Sequence, residues 1–138
     1  MIYAGFWRRF LASAIDGLVV LLLIVPPAVT ISTMGGIGGR GEIIADLMQP
    51  FLLILIPWIY WACLESSKWQ ATIGKKAIGI AVTDTEGNPI SFGKATVRHF
   101  GKFISAAIVL VGFIMAGFTA KRQSLHDVLA RCVVILRR

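Results

Sequence analysis

Long uncharged apolar stretches alternate along the chain with shorter segments that are rich in basic residues. The uncharged windows cover residues 17–39, 47–64 and 103–120. A bilayer core of roughly 30 Å needs about 20 apolar residues in a helix. The pattern therefore predicts two transmembrane helices, at about 10–30 and 47–64, and a third hydrophobic helical segment at 99–120.

Prolines and aromatic residues indicate where these helices weaken or meet the membrane surface. Proline lacks a backbone N–H, so we expect the first helix to fray after Pro26 and Pro27 and the second to kink near Pro57. Trp58 and Tyr60 lie near the end of the second helix. Such amphipathic rings favour the headgroup layer of a membrane.

A cleaved signal peptide is the competing interpretation of the N-terminus, because Arg8 and Arg9 precede an apolar run. Asp16 would lie inside the apolar region of that signal, and no small-residue cleavage site follows it. We therefore expect a retained membrane helix.

Basic residues are unevenly distributed over the connecting segments. The net charge is −1 for residues 33–46, +3 for 65–102 and +4 for 121–138, and the N-terminal segment adds two arginines. Cytoplasmic loops of membrane proteins are enriched in Lys and Arg. We therefore expect a multi-pass protein of the bacterial inner membrane whose N-terminus, middle stretch and tail 121–138 are cytoplasmic.

This orientation constrains the third hydrophobic segment. Three full spans would leave the basic tail outside the cell, whereas a re-entrant segment that turns back near Gly112 or Gly117 keeps it inside. We favour the re-entrant arrangement over a plain third span. Non-helical backbone at membrane depth must be covered by protein, so the first two helices or a second subunit would have to cover it.

The middle stretch 65–98 is too polar to span a membrane. Within it, Ala77–Asp84 partly alternates and a strong turn cluster follows at Thr85–Pro89, which predicts a small cytoplasmic β-hairpin. The β-branched run Cys132–Leu136 could add a third strand. Residues 1–138 as a whole are predicted to form one all-α membrane domain that carries this hairpin.

Composition supports a membrane protein and argues against other classes. Hydrophobic residues make up 57% and charged residues 15%, with a mean hydropathy of +0.78 and a net charge of +7. Soluble domains are roughly 25% charged, and disorder requires low hydrophobicity. The basic residues lie between apolar blocks, which argues against nucleic-acid binding.

No catalytic or metal-binding motif emerges from the sequence. There is no Walker GxxxxGK[ST], no HExxH and no GxSxG, and the two cysteines form no CxxC. His126 lies 27 residues from His99, too isolated in sequence to indicate zinc. We therefore expect neither an enzyme nor a protein that needs a cofactor or metal. Lys68, Lys75 and Lys76 are expected on the anionic inner leaflet.

Asp16 is the most informative ionisable residue, because a carboxylate inside a span costs roughly 2.5–3.5 kcal/mol on insertion scales. Arg9, Ser13 and Asp16 are spaced by four and three residues and so share one helix face. Arg9 lies about 10 Å from Asp16 along the axis, within reach of an arginine that leans inward. A structural Arg–Asp pair and a role in ion movement both stay open.

Asp127 and His126 form the second candidate site. Ser124 precedes Asp127 by three residues, which is the spacing of a helix N-cap and a first-turn carboxylate. Helix capping is therefore the structural explanation for Asp127.

Several blocks of the sequence resemble the RDD family of small bacterial membrane proteins, named for one arginine and two aspartates. Tyr3–Asp16 is similar to the family's opening, with Arg9 and Asp16 at its Arg-x6-Asp spacing. Ala71–Val82 resembles its central Gly-Lys block, and Gln123–Ala130 its closing Leu-His-Asp block. In the remaining blocks, Gly87–Ile90 matches the turn, Arg98 a basic position and Asp127 the second aspartate, while Arg131-Cys132 departs from the usual Gly-Thr.

The resemblance implies monovalent cation/proton exchange, because sodium(lithium, potassium)/proton antiport has been attributed to a member. Asp16 would bind the proton or a Na⁺ or K⁺ ion, and Arg9 would tune the pKa of Asp16. Asp127 would gate or share the site. Two or three hydrophobic segments cannot enclose a path alone, so a homo-oligomer is expected. Other members are discussed as accessory or assembly proteins. The alternative is thus a non-transporting scaffold whose hairpin recruits a protein partner.

Overall fold

A computed structural model describes residues 2–35, 40–107 and 123–137 of the chain. In these ranges the elements are α1 (Phe6–Gly35), α2 (Arg40–Ser66), α3 (Ile73–Ile78), β1 (Ile80–Asp84), α4 (Phe92–Ala107), α5 (Leu125–Leu129) and β2 (Cys132–Leu136). The fold is mostly helical with one small antiparallel sheet, as the sequence predicts.

Two of the helices are long and apolar enough to cross a membrane. They contain the stretches Phe6–Thr33 and Glu42–Ser66, of 28 and 25 residues, with hydropathies of 2.3 and 1.8. Only 11% of each apolar window is buried inside the protein, so neither is the core helix of a soluble domain. The prediction of two transmembrane helices is confirmed, and both helices are longer than predicted.

Prolines do not end these helices. The predicted fraying after Pro26 and Pro27 is wrong, because α1 continues through both to Gly35. The hydroxyl of Thr30 donates to the carbonyl of Pro26 at 2.9 Å. This is the contact that a threonine hydroxyl makes with the carbonyl four residues earlier in a helix. Pro57 likewise lies inside the continuous helix α2.

The sheet joins two segments that are far apart in sequence. β1 pairs antiparallel with β2, in a register that matches Ile80 with Leu136 and Asp84 with Cys132. The predicted turn is present, and the Asp84 carboxylate accepts the amide of Asn88 at 2.8 Å. Beyond the turn, however, Pro89 forms only an isolated bridge. The main partner of β1 is therefore the tail strand, because proline cannot donate to a continuous ladder.

The N-terminal segment extends this sheet. Ala4 donates its amide to the carbonyl of Val134 at 2.9 Å, and Leu136 donates to Ile2 at 2.8 Å. The start of the chain, the sheet and the tail thus lie together at one end of the helix pair. The buried apolar core packs there and consists of Ala4, Ala12, Ala62, Ile80, Val82, Ile90, Ala95, Ala130, Cys132 and Val134.

The predicted re-entrant turn near Gly112 or Gly117 lies outside the described residues. The elements on either side of it pack together, because a Cβ added at Gly101 of α4 would lie 3.1 Å from Cβ of His126 in α5. Both flanks of the third hydrophobic segment therefore lie at the end of the helix pair that holds the N-terminus.

α3 packs closely against α1, and this contact requires a glycine. A Cβ added at Gly74 would lie 2.3 Å from the carbonyl oxygen of Ala12 and 2.9 Å from Cγ of Asp16. The backbone of α3 can therefore approach α1 only where the side chain is absent.

We expect Gly74→Ala to destabilise the protein by roughly 1–3 kcal/mol, because overpacking forces the backbone of α3 away from α1. The measurement is the midpoint of denaturant unfolding in detergent, followed by circular dichroism. Gly17→Ala is the matched control, since a Cβ there meets nothing within 4 Å. An alanine in a helix is about 1 kcal/mol more favourable than glycine, so the control should be neutral or slightly stabilised. Equal effects at the two positions would contradict the packing argument.

Candidate functional site

Each of the five helices in the described part of the chain contributes one charged side chain to a connected set of ion pairs, which we term the charge ladder. Arg9 of α1 binds Oδ2 of Asp127 in α5 through Nη1. Oδ1 of Asp127 accepts Nε of Arg98 in α4 at 2.8 Å. Nη1 of Arg98 contacts Glu65 of α2 at 3.1 Å, and Lys75 of α3 binds the other oxygen of Glu65.

The charge ladder is almost wholly removed from solvent. Asp127 and Glu65 are 0% and 1% exposed, and Arg98 and Lys75 are 3% and 5% exposed. Charged groups are buried at a high cost unless they are paired. The burial therefore explains why both carboxylates of the ladder hold two basic side chains.

Burial and ion pairing shift the pKa values of the charge-ladder residues outside the spans in opposite directions. Burial alone would raise the pKa of Asp127, but Arg98 and Arg9 outweigh it and hold that pKa well below the usual range. Burial would lower the pKa of Arg98, yet Asp127 and Glu65 raise it above the ordinary value. The pKa of Lys75 is lowered, because burial and the nearby Arg98 outweigh Glu65. Asp127 and Arg98 therefore stay charged together.

The local structure of α5 fixes the Asp127 carboxylate. Its Oδ2 atom accepts the backbone amide of Ser124 at 3.3 Å and the Ser124 hydroxyl at 2.9 Å. The predicted capping role of Asp127 is therefore confirmed. Nε2 of His126 lies 2.9 Å from the same hydroxyl. Burial lowers the pKa of His126 to about 3, despite the neighbouring Asp127, so this imidazole is neutral.

Asp16 lies in a second, adjacent polar cluster that contains only neutral hydrogen-bond donors. It is 0% exposed. Its carboxylate accepts the hydroxyl of Tyr60 at 2.8 Å, the amide of Gly74 at 2.7 Å and the hydroxyl of Thr72. Thr72 is also the N-cap of α3, so this carboxylate fixes the start of that helix against α1.

The structure separates Arg9 from Asp16. The Arg9–Asp16 pair, one of the two alternatives that the sequence leaves open, is not formed: Arg9 binds Asp127 and donates Nε to the carbonyl of Ala4 at 3.2 Å. Two helical turns separate Arg9 and Asp16 along the axis, about 10 Å, and a nearer carboxylate is available on α5. Ser13, on the same face, is exposed.

Several residues differ from their predicted places. Lys75 was expected at the lipid surface, but it is buried against Glu65. Tyr60 was expected in the headgroup layer, but it is 8% exposed and donates to Asp16. Glu65 was not singled out as a site residue. Its position directly after an uncharged window is the one sequence signal that could have found it.

A cavity of about 490 Å³ lies beside the charge ladder. Four basic side chains line it, from Arg9, Lys75, Arg98 and Lys102. Its apolar wall includes the rings of Phe6, Phe10 and Trp61. Among the described residues, no three His, Cys, Asp or Glu side chains are grouped as metal ligands. The cavity is therefore cationic and aromatic in character.

Comparison with known proteins identifies a family. The model of the RDD family matches residues 3–131. Uncharacterized protein YxaI of Bacillus subtilis is 31% identical over 97% of both chains, and uncharacterized membrane protein YteJ of the same species is 26% identical over 96% of this chain and 80% of its own. Proline-rich antigen homolog of Mycobacterium tuberculosis is 39% identical over 69% of this chain but only 39% of its own length. No solved structure matches.

We expect Asp127→Asn to destabilise the protein by about 3–5 kcal/mol, because it leaves two buried guanidinium groups facing a neutral amide. Denaturant unfolding in detergent micelles measures the change. Asp46→Asn is the matched control, since Asp46 is an exposed residue of α2. An exposed substitution of this kind should change stability by less than about 0.5 kcal/mol. Similar losses for both variants would show that the charge ladder is not the cause.

The depressed pKa of His126 predicts a stability that declines in acid. The unfolded chain takes up a proton below about pH 6.5, whereas the folded protein resists it until about pH 3. This contribution to stability is therefore complete above pH 6.5 and is lost as the pH falls, at up to about 1.4 kcal/mol per pH unit. Unfolding midpoints between pH 7.5 and 4 measure it, and His126→Gln should flatten the profile. An equally steep profile in the variant would assign the dependence to another group.

Proposed function

This chain belongs to the RDD family of membrane proteins, and from that membership and the site geometry we propose that it is a non-transporting membrane scaffold or accessory protein. The observation that supports this function is the charge ladder, in which Glu65 and Asp127 each hold two basic side chains. A carboxylate engaged in this way joins helices together. It offers few free lone pairs to a transported ion.

The cost of rearrangement also favours a structural role. Opening a buried ion pair costs about 3–5 kcal/mol when one partner is lost. A transport cycle that passed through Asp127 would have to release Arg9 and Arg98 and then recapture both at each turnover. The scaffold needs no such step, because its ion pairs hold α1, α4 and α5 in one fixed arrangement.

In this proposal the small sheet and its turn recruit a protein partner. Thr85, Glu86, Asn88 and Pro89 of the turn are exposed, and the turn lies at the end of the helix pair that holds both chain termini. We propose that this end faces the cytoplasm of a bacterial inner membrane, in a multi-pass protein with a cytoplasmic N-terminus, and the charge distribution supports this orientation. A partner in the cytoplasm could thus reach the turn.

Monovalent cation/proton exchange is the second candidate, and Asp16 is the observation that favours it. This buried carboxylate accepts hydrogen bonds from two hydroxyls and one amide, with no basic side chain among these donors. A proton, Na⁺ or K⁺ could neutralise such a group, and hydroxyl oxygens are suitable ligands for a hard cation. Two spanning helices cannot enclose a path for ions, so exchange would require a homo-oligomer.

Proton movement in proteoliposomes decides between the two candidates. The full chain is reconstituted with a pH-sensitive dye inside the vesicles, and a sodium or potassium gradient is imposed outside. For a scaffold we expect no cation-dependent change in internal pH, because the buried carboxylates stay bound to protein groups. Circular dichroism and crosslinking establish that the protein is folded and report its oligomeric state.

Asp16→Asn and Asp46→Asn are the matched variants in this assay. A cation-dependent signal that Asp16→Asn abolishes and Asp46→Asn preserves would overturn the scaffold and establish exchange at Asp16. A signal that both variants retain would contradict both candidates as formulated.

A further inference from the structure

We propose that the cavity beside the charge ladder binds the headgroup of an anionic phospholipid, with Lys102 and Arg9 as contacts to its phosphate. This inference goes beyond the proposed function and holds for either candidate. It rests on the charge of the cavity, a buried donor without a partner, and the position of the cavity at the end of the two spans.

The first observation is an excess of positive charge. Four basic side chains line the cavity, from Arg9, Lys75, Arg98 and Lys102. Among the described residues, only the carboxylates of Glu65 and Asp127 are ion-paired with them. The excess stays positive when the neighbouring Asp16 is counted as a third carboxylate. A site of this charge attracts an anion and repels a cation.

The second observation is that part of this positive charge has no carboxylate or hydrogen-bond acceptor among the described residues. Nη2 of Arg9 is buried and has no hydrogen-bond partner among the described residues. Lys102 has no carboxylate within salt-bridge distance in the described ranges, and its Nζ lies 4.6 Å from the centre of the Trp61 ring. Buried donors are nearly always satisfied. A phosphate oxygen in the cavity would give Nη2 of Arg9 an acceptor and Lys102 a counter-charge.

The third observation is that the cavity also has an apolar wall at the level of the membrane. Phe6 and Phe10 lie in the first turns of α1, and Trp61 lies in the last turns of α2. These are the ends of the two spans, where a headgroup and the start of an acyl chain would meet the protein. Basic pockets between transmembrane helices are a known mode of headgroup recognition. A lipid therefore fits this mixed lining better than a free inorganic ion.

Fluorescence quenching by brominated lipids tests the proposal on the full chain. The protein in non-ionic detergent is titrated with brominated phosphatidylglycerol, which is anionic, and with brominated phosphatidylcholine, which is not. Quenching that is present in wild type and absent in Trp61→Phe reports on the cavity. We expect phosphatidylglycerol to quench this component at a concentration at least about fivefold lower than phosphatidylcholine. One basic side chain in contact with an anionic lipid raises the affinity by about that factor.

Lys102→Gln should reduce the preference for phosphatidylglycerol about fivefold, because it removes one basic contact to the headgroup. Lys102→Arg keeps the positive charge and should keep the preference. Lys94→Gln is the matched control, because Lys94 is an exposed lysine of the same helix. It should leave the preference unchanged. The comparison of the two lipids on wild-type protein remains decisive if a variant fails to fold.

Three results would overturn the proposal. Equal quenching of the Trp61 component by the two lipids would show that the cavity does not select a negative headgroup. An undiminished preference in folded Lys102→Gln would place the selecting charge elsewhere. Displacement of the anionic lipid by excess inorganic phosphate would assign the cavity to a free phosphate ion rather than to a phospholipid.

Discussion

The arrangement of the helices depends on two buried carboxylates that each bind two cations. Asp127 joins Arg9 to Arg98, and Glu65 joins Arg98 to Lys75. Arg98 is the shared member, so the two bridges form one continuous set. Because each of these residues lies on a different helix, their geometry fixes how the spans meet the short helices at one end of the protein.

Burial makes this set of ion pairs interdependent. A single unpaired charge in the interior would cost several kcal/mol, whereas a complete set is tolerated because each charge has a counter-charge and hydrogen bonds. The complete set therefore forms only when the five helices of the described ranges are in place together. Replacing a buried ion pair by well-packed apolar residues is often neutral or stabilising, whereas removing one partner alone is costly.

The charge ladder also explains its two neighbouring features. Because Asp127 engages Arg9, the Asp16 carboxylate is free to fix the start of α3 through Thr72 and Gly74. The set contains more basic than acidic side chains, and Nη2 of Arg9 beside the cavity has no hydrogen-bond partner among the described residues. Several of the few charged residues of this membrane protein thus lie together in the charge ladder. That site is therefore a buried ion-pair set beside a cavity lined by basic and aromatic side chains.

The sequence alone determines the elements that depend on local periodicity and capping. Uncharged length predicts the two spans, the cluster Thr85–Pro89 predicts the turn, and the spacing of Ser124 and Asp127 predicts the cap of α5. These features follow from contacts between residues a few positions apart. For the same reason the shared face of Arg9 and Asp16 is readable in the sequence.

Only the tertiary structure decides which charges meet. Arg9 and Asp127 are 118 positions apart, and Arg98 and Glu65 are 33 apart. Helical periodicity predicts which residues share a face of a helix, but it does not predict which other helix packs against that face. The buried partners of Lys75 and Tyr60 follow from that packing alone, because both side chains have polar ends that would otherwise favour the membrane surface.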